Sequence, residues 1–93
     1  MDKDAKRVER YFKGAANHWR IAILEQIARK RGITVEGIAC NLNANFKTIS
    51  EHTRKLALSG LVDKKYRGKF VTHKLSPYGH RFHAFINTFQ HSG

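Results

Sequence analysis

"NLNANFKTISEHTRKL", residues 41–56, decides how the rest of the chain is read. Asn45 is a residue type that opens helices, because its side-chain oxygen can accept from the free N–H groups of a first turn. From about Phe46 the spacing turns helical. Ile49, Thr53 and Leu56 share one mostly apolar face; Phe46, Lys47, Ser50, Glu51 and Arg54 share the other. Such a helix can pack on a core with one side and read a partner with its other. The pattern predicts a helix over about 45–59, ended by Gly60.

Upstream, Thr34 stands where a short helix would be capped, with Val35, Ile38, Ala39 and Leu42 inward and Glu36 in its first turn. Asn43 and Ala44 make a tight turn into the quoted helix. Residues 3–14 also read as a helix, with Val8, Tyr11 and Phe12 at i, i+3, i+4 and Gly14 as its stop. Asn17 caps a further helix running to about Arg31, striped by Ile21, Ile23, Leu24, Ile27 and Ala28. Arg29, Lys30 and Arg31 would sit in its last turn, favourable at the negative dipole end, with Gly32 ending it.

Downstream of Gly60 the period changes to two. Residues 61–66 and 69–75 read as strands around an Arg67-Gly68 turn. Val71, His73 and Leu75 point one way; Phe70, Thr72 and Lys74 point the other. Ser76 then caps a last helix with Pro77 at its first position. Tyr78, Phe82, Phe85, Ile86 and Phe89 form an apolar stripe along it. The expected fold is mainly α with a small β-hairpin, in the order α-α-α-α-β-β-α. It is a helix-turn-helix followed by a basic wing.

The 93 residues fit one domain, 1–93, and there are no repeats or linkers. Eighteen Lys and Arg against seven Asp and Glu give +11, which favours a polyanionic partner, nucleic acid before anionic membrane. Residues 43–75 hold Lys47, Arg54, Lys55, Lys64, Lys65, Arg67, Lys69 and Lys74 against Glu51 and Asp63, that is 8 − 2 = +6. No run of 18 apolar residues predicts a membrane span, and the charged opening lacks a signal-peptide core, so a cytoplasmic setting is expected. The single cysteine, Cys40, excludes an internal disulfide and is expected to be a small buried residue. There is no Gly-rich phosphate loop, no nucleophile elbow and no plausible carboxylate pair, so neither an enzyme nor a cofactor is expected.

"NHWRIAIL" is similar to the opening of the second helix of ArsR-type winged-helix repressors. "TVEGIACNLNANFKTISEHTRKLALSGLV" resembles their helix-turn-helix, with Asn45, Thr48, Ile49, Ser50, His52 and Leu56 in pattern and a Ser-Gly-Leu-Val exit at 59–62. "KLSPYGHRF" is similar to the strand-to-helix junction of ArsR- and MarR-type regulators. The likeness spans about residues 17–83. It implies a transcriptional regulator that binds double-stranded DNA, usually as a homodimer and here as a repressor.

On that reading the helix over about 45–59 enters the major groove, where its Asn45, Phe46, Lys47, Thr48, Ser50, Glu51, Arg54 and Lys55 are candidate contacts. Lys47 or Arg54 would donate to guanine O6 and N7, Glu51 would accept from cytosine N4, and Phe46 would touch a thymine methyl. Thr48 would reach a phosphate, and the N–H groups of Phe46 and Lys47 suit a phosphate too. The wing, about 61–75, offers Lys64, Lys65, Arg67 and Lys69 to the backbone or minor groove; a charge-blunted strand edge would look the same.

The last helix has more large aromatics than one small core can hide. Phe82, Phe85 and Phe89 are expected to share a second surface with Val8, Tyr11 and Phe12. That surface, built from terminal helices at about 3–14 and 76–90, would be the homodimer interface rather than a covered monomer core. His80, His83 and His91 are weak metal candidates. ArsR-type zinc sensors carry ligands on this helix, and His80 and His91 match two histidines of that pattern. Tyr78 occupies its Asp position, no fourth ligand follows His91, and the family's third-helix cysteine pair is reduced to Cys40, so no metal is expected. His52 and His73 read as partly buried polar residues. A small-molecule or metal effector stays open. Two other readings share the fold: a protein-interaction module, which would not need basic residues on both helix and wing, and a nucleoid-type binder without sequence preference.

Overall fold

Residues 3–90 are described by a computed structural model. The chain runs α1 (Lys3–Ala15), α2 (His18–Arg29), α3 (Val35–Leu42), α4 (Phe46–Ser59), β1 (Val62–Arg67), β2 (Phe70–Leu75) and α5 (Pro77–Gln90). This is the expected order. The caps fall where the polar residues placed them. Asn17 accepts from the N–H groups of Trp19 and Arg20, Thr34 from that of Gly37, and Asn45 from those of Lys47 and Thr48. Ser76 caps α5 by accepting from the Gly79 N–H at 3.0 Å and also donates to the Gly60 carbonyl at 2.6 Å.

Ile23, Leu24, Ile27, Ile38, Ile49, Leu56 and Leu61 are fully buried at the centre, with Trp19, Phe82 and Ile86 packed against them. Each such aliphatic side chain withdrawn from water is worth about 1.5–3 kcal/mol. The core therefore locks α2, α3 and α4 together and sets the angle at which α4 is presented. Cys40 departs from expectation: Ile38, Ala39 and Leu42 take the inward positions of α3, and the helical turn leaves Cys40 exposed.

Three boundaries also differ, each for a local reason. α2 stops at Arg29, so Lys30 and Arg31 lie outside it. The backbone that would have extended α2 turns to β2 instead. Gly32 N–H donates to the His73 carbonyl at 2.8 Å, and Ile33 pairs with His73 as a one-residue third strand. Gly14 does not end α1. It lies buried in the last turn, where a Cβ would overlap the Ser59 side chain, so it lets α1 close onto α4. The hairpin turn is Gly68-Lys69 rather than Arg67-Gly68, since Arg67 pairs with Phe70. Gly68 has φ +61. A positive φ at the first central residue alone is the type II′ pattern, whose twist suits a two-residue hairpin.

Gly79 is set by contact. A Cβ there would fall on the Leu61 carbonyl oxygen and 3.2 Å from the Leu75 Cβ. The same carbonyl accepts from the Ser76 N–H at 3.1 Å. α5 thus begins seated directly on the start of the hairpin. No helix of the described residues is long and apolar enough to cross a membrane.

Candidate nucleic-acid interface

Asn43 takes the left-handed conformation (φ 49, ψ 48) that ends α3, and Ala44 N–H returns to the Ala39 carbonyl at 2.9 Å. This short turn fixes α4 against α3. Ile49, Thr53 and Leu56 are buried as their spacing predicts, which turns Lys47, Glu51 and Arg54 to solvent. Phe46 is 53% exposed, so a large ring stands in water at the first turn of α4. The cap alters one expectation. Asn45 Oδ1 accepts from Lys47 N–H at 2.8 Å and from Thr48 N–H at 3.2 Å, so the Lys47 N–H is already satisfied.

Arg54 is held by its neighbour one turn back, with Nη2 2.5 Å from Glu51 Oε1. The hydrogen bond from Arg54 lowers the Glu51 carboxyl pKa, and Glu51 in turn raises that of Arg54. Both groups are exposed, so the pair orients the guanidinium rather than stabilising the fold. Lys55 and His52 lie on the opposite flank of α4. There Arg20 Nε donates to His52 Nδ1 at 3.2 Å, and its Nη1 donates to the Gly14 carbonyl at 3.2 Å. Burial, then the nearby Arg20 charge, lowers the His52 pKa, consistent with a neutral ring accepting at Nδ1. Arg20 drew no notice in the sequence, where it is one of many basic residues. It caps the end of α1 and ties it to α4.

Between α4 and the hairpin lies a groove of about 290 Å³. Phe46, Ser50 and Arg54 form one wall, Lys64, Tyr66 and Lys69 the other, and Thr53 and His73 lie between them. Thr53 Oγ1 is buried without a hydrogen-bond partner among the described residues. His73 is 2% exposed and more buried than its sequence implied, with Nδ1 2.9 Å from the Ile33 carbonyl. Burial holds its pKa below the ordinary histidine value, partly offset by that hydrogen bond. His73 joins the α2–α3 connection to the wing, where burial disfavours charge on its ring.

The hairpin register sorts the wing cations. Lys64 and Tyr66 stand opposite His73 and Val71 and face the groove. Lys65 and Arg67 stand opposite Thr72 and Phe70, on the other side of the ribbon. Lys69 lies in the turn, its ammonium 5.6 Å from the centroid of the Phe70 ring. The structure therefore brings Lys64 and Lys69 to the α4 groove and leaves Lys65 and Arg67 behind it.

Along the terminal helices the rings form a ladder. Tyr11 stacks on Tyr78 (centroids 4.6 Å apart), Phe12 meets Phe82 edge-on (5.0 Å) and Phe85 meets Phe89 edge-on (4.9 Å). Tyr11 is buried and Phe82 half-buried, but Val8, Phe12, Phe85 and Phe89 stay exposed. The expected shared surface of α1 and α5 is present within one chain, with its outer half facing water.

The histidines of α5 part company. His83 Nε2 lies 2.6 Å from Glu25 Oε2 on α2, while His80 is exposed. That hydrogen bond, with a further one from Arg29, lowers the Glu25 carboxyl pKa. His91 lies outside the described residues. Among the described residues no three His, Cys, Asp or Glu side chains are grouped to hold a metal ion.

No protein-family model and no curated protein sequence matches the chain. Solved structures do. The homodimeric winged helix-turn-helix DNA-binding domain of Mb0332 from Mycobacterium bovis, a possible ArsR-family transcriptional regulator, is 26% identical over 97% of this chain and 86% of that one, with a TM-score of 0.82. HlyU from Vibrio cholerae is 20% identical over 100% of both chains, with a TM-score of 0.83. NolR from Sinorhizobium fredii is 17% identical over 96% and 88%, with a TM-score of 0.79. The element order and these likenesses agree: the chain has the ArsR-like winged helix-turn-helix fold.

Proposed function

We propose that this protein is a sequence-specific, double-stranded-DNA-binding transcriptional regulator that acts as a homodimer and represses. The observation that carries this reading is the groove in which α4 and the hairpin present Ser50, Arg54, Lys64 and Lys69, with Lys47 exposed on α4 beside it. The homodimeric DNA-binding domain of Mb0332, over 97% of this chain, supports it. α4 lies in the major groove; Phe46, Lys47, Glu51 and Arg54 meet base edges, and Asn45, Thr48, Ser50 and Lys55 flank them. The wing lays Lys64, Lys65, Arg67 and Lys69 along phosphates. α1 and α5 of two copies pair through Val8, Tyr11, Phe12, Phe82, Phe85 and Phe89, which sets two reading helices about one DNA turn apart. Repression then follows from occupancy of a promoter. No catalytic role is assigned.

Two sets of variants test the division of labour. Arg54→Ala and Lys47→Ala are each expected to cost about 1–3 kcal/mol on the promoter and much less on random DNA, as for a lost base contact. Lys65→Ala and Arg67→Ala are expected to weaken all DNA about equally and to flatten the salt slope by about 0.9 per lost phosphate contact. Unchanged promoter affinity in both α4 variants would remove that helix from the groove. A wing variant that altered sequence preference and left the salt slope alone would reverse the wing assignment.

A further inference from the structure

The side of the hairpin turned away from α4 has a surface of its own. Asp63, Lys65 and Arg67 share it with Lys74, Thr72 and Phe70 by register. Arg31, from the α2–α3 connection, closes a shallow concavity of about 490 Å³ against Lys65, Arg67 and Lys74. A second concavity continues past Arg31 and Lys74 to His80 at the start of α5. Five cations line the first, Lys64 reaching it as well as the α4 groove, against one acid, Asp63. Four acids elsewhere pair with cations: Asp4 with Arg7, Glu9 with Lys13, Glu25 with Arg29 and Glu51 with Arg54. Among the described residues no ion pair neutralises Arg31, Lys65, Arg67 or Lys74.

We infer that this outer face of the wing, with Arg31 and Lys74 at its base, binds the phosphate backbone of DNA flanking the segment read by α4, so that the flank is drawn around the wing. The inference rests on the DNA-binding reading above. Its cations are strung along the ribbon rather than gathered about one point: from Arg67 to Lys74, which stands opposite Asp63, is four residue steps, about 13 Å of strand. Such a track suits a chain of phosphates better than one small anion. It also lies on the reverse of the ribbon whose front faces α4. A duplex crossing α4 and the wing tip reaches it only by bending toward the protein, and a bend of this kind is repaid by the added phosphate contacts.

The test uses the full chain and promoter duplexes of increasing length about a fixed centre. Affinity is measured at low and moderate salt, and bending is read from energy transfer between dyes on the duplex ends. For the wild type, extending the flanks should raise affinity roughly tenfold at low salt and bring the ends closer. Arg31→Ala combined with Lys74→Ala should keep the short-duplex affinity, lose the gain from length, and flatten the salt slope on long duplexes by about 1.8, or 0.9 per phosphate. The inference is overturned if length brings the wild type nothing, if the double variant gains as much as the wild type, or if only a separate second duplex adds affinity. Failure of the underlying reading looks different: no promoter preference at any length, in either protein.

Discussion

Replacing Phe85 by Glu is expected to leave a folded 10.7 kDa monomer and to cost promoter affinity about 10²–10⁴-fold. Phe85 is 45% exposed, so a carboxylate at this position can stay in water within one chain. It also sits in the middle of the ladder, 6.1 Å from the Phe12 ring and 4.9 Å from that of Phe89. In a two-fold pairing of α1 and α5 the same patch meets itself, so two carboxylates would be buried near one another without partners. Each half-site would then be bound alone, and the gain from linking two reading helices would vanish. Sedimentation at about 10 μM protein, where a Kd of that size corresponds to about −7 kcal/mol, reads the first half, and a binding titration reads the second. A monomeric wild type, or a dimeric Phe85→Glu, contradicts the interface.

Gly79→Ala is expected to destabilise the fold by about 3 kcal/mol or more, at the upper end for overpacking. The added methyl would meet the Leu61 backbone oxygen, which has no rotamer to retreat into and is already bonded to Ser76 N–H. The start of α5 or the start of the hairpin must move. For a domain this small the loss corresponds to a fall in Tm of about 12 °C or more. Thermal unfolding followed by circular dichroism checks it. A Tm within a few degrees of wild type would mean that α5 does not rest on Leu61.

Much of this was legible in the sequence because it is written in local chemistry. Asn17, Thr34, Asn45 and Ser76 cap helices through their own side chains, so cap and helix are read together. Ile49, Thr53 and Leu56 show at helical spacing which side of α4 is buried. What escaped depends on partners distant in the chain. Gly14 looked like a stop because nothing near it in sequence announces Ser59, 45 residues on. α2 ends early because Gly32 and Ile33 bond to His73, a strand residue some 40 positions away. The wing cations read as one group because a basic run does not say which side of a ribbon each member takes. That depends on the register, and the register depends on a turn one residue later than the sequence placed it. With that register known, Arg31, half a chain from the wing, becomes part of its surface.

That α4 reads DNA sequence while the wing holds phosphates is tested most directly by the affinity of the wild-type protein for its native promoter against random DNA, at two salt concentrations. A promoter preference of about 10³-fold or more is expected, with affinity for both DNAs falling steeply as salt rises. Equal affinity for the two DNAs, or no binding to either at the lower salt, would contradict it.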